Sequence, residues 1–296
     1  MSQFHYRDFT LGLLVGGGFL LFSQYFYSGI KISAVPEGKH EEDEHTNEDS
    51  NRMKKCMSQI KKFGFVTLEN VFDENQLQLL SNQFEIFRQK GLSAMKTKSV
   101  DYNYVAHFEK ETVSVKRSFE SNGVGVIEIC RGRLDIYSEM PIMKKIINES
   151  PIDKLMENIC ETRDNWNMQV GILTSASSSS HGPWHRDVTN ICGEAKADGS
   201  YDDRLMVDSN FEPFYFTILI PLVDITNENG PTEFIIGSHK QTFDEIDVNE
   251  TETILLKTGS ALIFDGRIFH RGRENNSSNP RPVIYVVFSR SWYNDE

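Results

Sequence analysis

Between Asn167 and Phe288 the chain is a succession of short apolar runs separated by turn residues, with few stretches long enough for helix. Asn167–Thr174, Phe214–Val223, Pro231–Phe234, Ala261–Phe264 and Val283–Phe288 are rich in β-branched and aromatic side chains. Asn227-Glu228-Asn229-Gly230 and Gly237-Ser238 break the chain between them. Many short strands with turn signals predict a β sandwich or barrel. Helical spacing is confined to the first half. Met53–Lys62 has apolar positions at Met53, Met57 and Ile60. Asp73 followed by Gln76 forms a capping-box signature, and Leu77, Leu80, Phe84 and Phe87 make one stripe before Gly91 ends the run. Met140–Ser150 and Ile152–Glu161 read as two short helices parted by Pro151. Gly64–Leu68 and Val124–Tyr137 read as strands, and residues 92–122 as a polar surface loop carrying His107. The expected class is mainly β with flanking helices.

Composition narrows the function. Hydrophobic content of 39% and charge of 25% are ordinary for a globular enzyme, and 296 residues suffice for one large domain with a full core. The net charge is −12 and there is no basic block, so the expected partner is not nucleic acid. The four cysteines, Cys56, Cys130, Cys160 and Cys192, show no C-x-x-C and are expected as free thiols.

The chemistry gathers at Pro183-Trp184-His185-Arg186-Asp187. In an extended strand, residues two apart point to one face, so a single strand here offers an imidazole and a carboxylate to one ion. His270, after an apolar strand, offers a third ligand. Two histidines and one carboxylate on one face of an octahedron form the ligand set of non-haem Fe(II) oxygenases, whereas zinc prefers four tetrahedral ligands. Arg281, eleven residues beyond His270, carries the planar fork that pairs with a carboxylate. His-x-Asp alone arises by chance. The weight lies in the joint order of His185, Asp187, His270 and Arg281. His181, four residues before His185 on a loop, is a decoy: it could approach the site, but it is not expected to bind the metal. Arg131 and Arg133 are expected either as surface ion pairs or against an acidic substrate.

Four segments carry a resemblance: PWHRD (183–187), IPLVDITNENGPTEFIIGSHK (220–240), GSALIFDGRIFHRG (259–272) and NPRPVIYVVFSR (279–290). In order and spacing they resemble the phytanoyl-CoA dioxygenase family of Fe(II)/2-oxoglutarate oxygenases. The resemblance departs at Ile236, where the family usually has Pro, and at Gly272, where some members carry a hydroxyl residue near the co-substrate. It implies a double-stranded β-helix, or jelly roll, over residues 52–296. Fe(II) would sit on His185, Asp187 and His270, with no catalytic side chain beyond these ligands. The co-substrates would be 2-oxoglutarate and dioxygen. Arg281 would hold the distal carboxylate, with Gln169, Leu219 and Thr232 lining the co-substrate. Residues 188–211 would form a lid, and His239 would be structural. The implied activity is hydroxylation of an unactivated C–H in a small organic substrate, with release of succinate and CO2. Asp187 favours this over halogenation, because related halogenases have a small residue there. Oxidative cyclisation or desaturation at the same iron, a jelly-roll binding protein without activity, and a cupin-like hydrolase or isomerase are the alternatives. Arg281 argues against the last of these.

Ahead of this domain stand three further segments. Residues 1–8 form a tail. Residues 9–30 contain no charge and are long enough to span a bilayer, so they read as a transmembrane anchor or a cleaved signal peptide. Residues 31–51 read as an acidic, flexible linker. The first alternative predicts a single-pass membrane protein, the endoplasmic reticulum being one such membrane. The second predicts a secreted or luminal one. Oligomeric state is not readable.

Overall fold

The computed structural model describes residues 42–97, 100–105, 113–160, 165–188, 212–242 and 245–293. The chain divides into two units, residues 1–31 and 32–296, and the described residues all belong to the second. The predicted tail and anchor or signal segment (1–8 and 9–30), His107 and residues 189–211 of the predicted lid lie outside the described residues. None of the described helices is long and apolar enough to cross a membrane.

In chain order the elements are α1 (Glu42–Phe63), β1 (Phe65–Leu68), α2 (Glu74–Ala94), β2 (Val100–Val105), β3 (Val113–Ser121), β4 (Val124–Cys130) and β5 (Arg133–Ser138). There follow α3 (Pro141–Asn148), α4 (Pro151–Cys160), β6 (Trp166–Ser175), β7 (Tyr215–Pro221), β8 (Thr232–Ile235), β9 (Thr251–Ile254), β10 (Ala261–Asp265), β11 (His270–Gly272) and β12 (Arg281–Arg290). Among the described residues the strands form a nine-stranded sheet, ordered β1-β10-β7-β12-β6-β5-β4-β3-β2, and a three-stranded sheet, β11-β8-β9. Every named strand pair is antiparallel. This is the sandwich of two antiparallel sheets that the strand pattern predicts, in jelly-roll form.

The large sheet has two faces with different work. One transverse row on its outer face runs Val126–Ile136–Ile172–Ile284–Ile220 through five paired strands. All five side chains are fully buried in a cluster with Leu80, Phe84 and Phe87 of α2 and Met143 and Ile147 of α3. Each such side chain contributes about 2 kcal/mol of burial, so this row fixes the helices to the sheet. Asp73 caps α2 through its side chain, and Gln76 returns the bond to the Asp73 backbone, as the capping box predicts. The inner face meets the small sheet across a second cluster, including Phe234, Phe264, Leu262, Ile268 and Val283. That space between the sheets holds the candidate site.

Four local expectations need correction. Helix α1 begins at Glu42, inside the stretch expected to be a flexible linker. Gly91 does not end α2: the helix runs on to Ala94, and a Cβ at Gly91 would lie 2.6 Å from Ile136 Cδ1. The glycine permits close approach of helix to sheet. Residues 92–122 are not a single loop, because β2 and β3 pair there as an extension of the large sheet. The expected strand 124–137 is a hairpin of β4 and β5, turned at Gly132 with a positive φ of 77°.

Candidate metal centre and co-substrate cleft

The three predicted metal ligands meet. His185, Asp187 and His270 place one donor atom each within 4.8 Å of one another. Asp187 Oδ1 is 3.5 Å from His185 Nε2 and 3.4 Å from His270 Nε2. The imidazole rings are 4.3 Å apart at their centroids.

The local route to this geometry differs from the expected one. His185 and Asp187 are not on a continuous strand. His185 makes an isolated bridge with His270, each residue's N–H donating to the other's carbonyl at 3.0 Å. Asp187 is held separately, its N–H donating to Gly266 O at 2.9 Å. The segment is therefore laid along the β10–β11 arm rather than paired in a sheet. That arm is shaped by Asp265 and Arg267. Both are buried; the guanidinium donates to both carboxylate oxygens, at 2.9 and 2.6 Å, and the Arg267 N–H also bonds Asp265 Oδ1. The pair tightens the turn that sends the chain back towards His270. Gly266 is required within it, since a Cβ there would sit 2.5 Å from the Tyr215 ring.

Each ligand is also oriented through its second polar atom. His185 Nδ1 lies 3.0 Å from Pro183 O, and His270 Nδ1 lies 3.1 Å from Ile268 O. A carbonyl can only accept, so both rings carry the proton on Nδ1 and leave the Nε2 lone pair for a metal. Asp187 Oδ2 accepts from the Thr217 hydroxyl, which leaves Oδ1 facing the two Nε2 atoms. Behind His270 stand Phe264 and Phe234, with ring centroids 4.7 and 5.6 Å away. Imidazole and carboxylate donors on one side of an open site suit Fe(II).

A cleft of about 230 Å³, its open mouth included, extends between the sheets. It is lined by Leu219, Pro221, Ile225, Thr232, Val283 and Arg281, among others. Leu219 is two residues along β7 from Thr217, and Thr232 is paired with Gly272 of β11. The cleft is thus walled by strand neighbours of Thr217 and Gly272 and includes Arg281; the three metal ligands are not among its lining residues. Arg281 is only 5% exposed. Its Nη2 donates to Ser175 Oγ at 2.9 Å, while its Nε is buried without a hydrogen-bond partner. Such an orphaned donor costs about 1–3 kcal/mol, which a carboxylate in the cleft would offset. Burial, and next the nearby Arg133 guanidinium, hold Arg281 down at about 9. An anion would reverse both effects.

Of the residues expected at the co-substrate, Arg281, Leu219 and Thr232 share this cleft. Gln169 does not line it. It is exposed and pairs with Val287, six residues along β6 from Ser175. Strand alternation puts it on the same sheet face, but at the far end of the strand from Arg281. His181 is exposed and lies 3.5 Å from Glu274, away from the metal ligands. His239 is structural: it is buried, and burial lowers it to about 4. Arg133 is neither a surface ion pair nor open to a substrate, being 5% exposed and bonded to two backbone carbonyls and Ser175. Cys56 and Cys130 form no disulfide. Sequence reasoning missed Thr217, Ser175 and the Asp265–Arg267 pair. Only the last had a local signal, an Asp-Gly turn dipeptide just before His270.

Comparison with known proteins follows the same lines. The family model described as phytanoyl-CoA dioxygenase (PhyH) matches residues 60–283. A dioxygenase named hkm4 from Aspergillus hancockii is 29% identical over 136 residues, which cover 42% of this chain and 40% of that protein. The Fe(II)/2-oxoglutarate-dependent dioxygenase nvfF of Aspergillus novofumigatus is 35% identical over 66 residues, 22% of each chain. The matched stretches therefore span less than half of either relative. Among solved structures, the non-haem α-ketoglutarate-dependent epimerase SnoN from nogalamycin biosynthesis superposes with a TM-score of 0.55 at 14% identity, covering 82% of this chain and 84% of its own. HygX from Streptomyces hygroscopicus, solved with nickel, 2-oxoglutarate and hygromycin B, gives 0.53 at 12% identity, covering 82% and 89%. At these identities the structural likeness shows the fold.

Proposed function

The chain belongs to the phytanoyl-CoA dioxygenase family, and on that premise we propose that it is an Fe(II)- and 2-oxoglutarate-dependent dioxygenase that hydroxylates an unactivated C–H of a small organic substrate. The observations that carry this reading are the convergence of His185, Asp187 and His270 and, in a cleft of the same inter-sheet space, a buried Arg281 whose Nε has no hydrogen-bond partner. A triad alone would suit many metal enzymes. A triad with a buried guanidinium in the same inter-sheet space suits a dicarboxylate that reaches both.

His185, Asp187 and His270 would hold the iron. When bound, the iron supplies activation of dioxygen coupled to conversion of 2-oxoglutarate to succinate and CO2. The chain's own residues do the rest. Thr217 keeps Asp187 Oδ1 turned to the metal position. Arg281 fixes the distal carboxylate by charge-assisted hydrogen bonds, and Thr232 adds a hydroxyl to the same cleft. Leu219, Val283 and Ile225 exclude water along the co-substrate's methylene groups. This positioning converts a three-body encounter into one oriented complex. Asp187, as a carboxylate ligand, occupies the place a halide would need. Residues 9–30 supply the membrane anchor in this proposal, with the signal peptide as the other outcome of carbonate extraction.

The test is succinate release from 2-oxoglutarate by the full chain, loaded anaerobically with Fe(II) and then exposed to oxygen with a panel of acyl thioesters, amino acids and lipids. Iron-dependent succinate that is absent from His185→Ala supports the reading. A well-folded chain that binds neither iron nor 2-oxoglutarate would overturn it in favour of a binding protein.

A further inference from the structure

At the closed end of the cleft two guanidinium groups share one hydroxyl. Arg281 Nη2 and Arg133 Nε both donate to Ser175 Oγ, at 2.9 and 3.1 Å. Register explains the meeting: Ser175 is the cross-strand partner of Arg281 on β12 and of Arg133 on β5. Ser175 is fully buried, and Arg133 and Arg281 are each 5% exposed. Like charges this close are unfavourable in the free protein. Arg133 is nevertheless committed to its place by two further bonds, Nη1 to Gly272 O at 2.8 Å and Nη2 to Arg273 O at 2.6 Å.

Those two carbonyls lie two and three residues after His270. Gly272 O also accepts from the N–H of Gly182, on the loop that leads into His185. Arg133 is thus bonded to the exit of the arm that carries His270, at the point where that arm meets the His185 loop. It also fills the space beside position 272. A Cβ on Gly272 would lie 2.3 Å from Arg133 Nη1 and 2.8 Å from its Cζ. Cβ atoms do not approach so closely, so a side chain at 272 and the guanidinium in its present place exclude each other.

We propose that Arg133 is a positioning residue of the co-substrate end: it sets Arg281 through Ser175, ties the His270 arm to the large sheet, and occupies the volume that a side chain at position 272 would otherwise fill. The inference rests on the dioxygenase reading and deepens it. It assigns the cleft a second fixed cation behind the first, suited to a dicarboxylate that presents one carboxylate to Arg281. It also accounts for the glycine at 272: the room for a side chain there is taken by an arginine from β5.

The experiment uses the full chain loaded with Mn(II), with calorimetric titration of 2-oxoglutarate and, separately, of the metal. Arg133→Ala is expected to weaken 2-oxoglutarate binding ~30-fold, through the lost fixing of Arg281 and the lost second positive charge, while metal affinity, reached only through the His270 arm, falls less, by ~5-fold. Arg133→Lys, which keeps the charge, should recover part of that loss. Gly272→Ala should weaken 2-oxoglutarate ~10-fold in the parent chain and cause no further loss in the Arg133→Ala background, because the space is then vacant. Unchanged 2-oxoglutarate affinity in Arg133→Ala, or an equal Gly272→Ala penalty in both backgrounds, would overturn the proposal. If Arg133→Ala does not fold, Gly272→Ala decides alone, and normal 2-oxoglutarate binding by that variant sinks the idea. A parent chain that binds no 2-oxoglutarate sinks the dioxygenase reading itself, and this inference with it.

Discussion

The metal end and the arginine end of the inter-sheet space are built on different principles. At the metal end, the two histidine rings are oriented by their own neighbourhood, each pointing Nδ1 at the carbonyl two residues earlier, while Asp187 is held by Gly266 and Thr217 from elsewhere in the chain. At the arginine end, the contacts join residues 42, 106 and 139 positions apart in the chain. The metal end is therefore two locally oriented histidines and a carboxylate, brought together by the His185–His270 bridge, the Asp187–Gly266 bond and the Thr217 hydroxyl. The arginine end exists only when β5, β6 and β12 are in register. The difference teaches that the ligands should tolerate conservative change in the sheet better than the co-substrate cradle does.

The strongest way to break this comparison is at the metal. His270→Ala removes one of three ligands and should abolish measurable Fe(II) binding, a loss of at least ~10³-fold. The ring is buried against Phe264 and Phe234, so the cavity should also lower the unfolding midpoint by several degrees while the chain stays folded. Anaerobic metal titration with parallel thermal unfolding checks both halves. Collapse of the fold in that variant would mean that the His185–His270 contact is part of the sandwich's stability rather than a site laid on it.

The second effect falls on stability and runs through His239. Its Nε2 lies 3.3 Å from Lys61 O, and its neighbour Ser238 accepts the Phe269 N–H and, through its carbonyl, Arg186. This short 3-10 turn thus backs the residues that flank His270, His185 and Asp187. Burial lowers His239 from its ordinary 6.5 to about 4. The unfolded chain consequently takes up a proton on this residue that the folded chain refuses between those values. The stability His239 confers is complete above pH 6.5 and is lost as pH falls through 4, by about 3 kcal/mol in all. Urea unfolding from pH 7.5 to 4 should show that slope, and His239→Gln should flatten it.

The third tests the arginine end. Arg281→Met keeps the volume of the stem and removes the fork. It should raise the 2-oxoglutarate Kd by ~30- to 100-fold with metal binding retained. Equal loss of metal and 2-oxoglutarate would mean the two ends are not separable.

How much of this was legible follows the same division. The three ligands and Arg281 could be found because residue type and order carry them, and the resemblance covered that stretch most strongly. Leu219 and Thr232 fell in the cleft for the same reason. The strand count after Asn167 was readable from alternation and turns, although β9, with its polar Thr251-Glu252-Thr253, gave little apolar signal. Gln169 was misplaced because alternation tells which face a residue occupies but not which end of the strand. Arg133 was taken for a surface or substrate-facing cation because no local pattern announces that a guanidinium will be buried by carbonyls more than a hundred residues away. The hairpin β2–β3 was missed because its strands are polar and extend an existing sheet, so pairing rather than burial makes them strands.

The smallest effect, and the sharpest test of local orientation, is at Thr217. This residue sits on β7, opposite Phe264 and Val287, and is buried. Its hydroxyl is donated to Asp187 Oδ2, so its contribution to the site is one hydrogen bond that turns one carboxylate. Thr217→Val keeps the branched shape and deletes the donor. Freed of that bond, Asp187 gains rotamers in which Oδ1 no longer faces the two Nε2 atoms, and metal affinity should fall ~10-fold, as for other groups that orient a metal ligand. Thr217→Ser restores the hydroxyl on a smaller side chain and should bring affinity back to within about threefold, at some cost to the unfolding midpoint from the missing methyl. The serine and valine variants therefore move the two measurements in opposite directions. Stability follows the methyl and metal binding follows the hydroxyl if the residue acts as the geometry requires. Parallel losses in both variants would place Thr217 in the packing alone and leave Asp187 oriented by its backbone bond to Gly266.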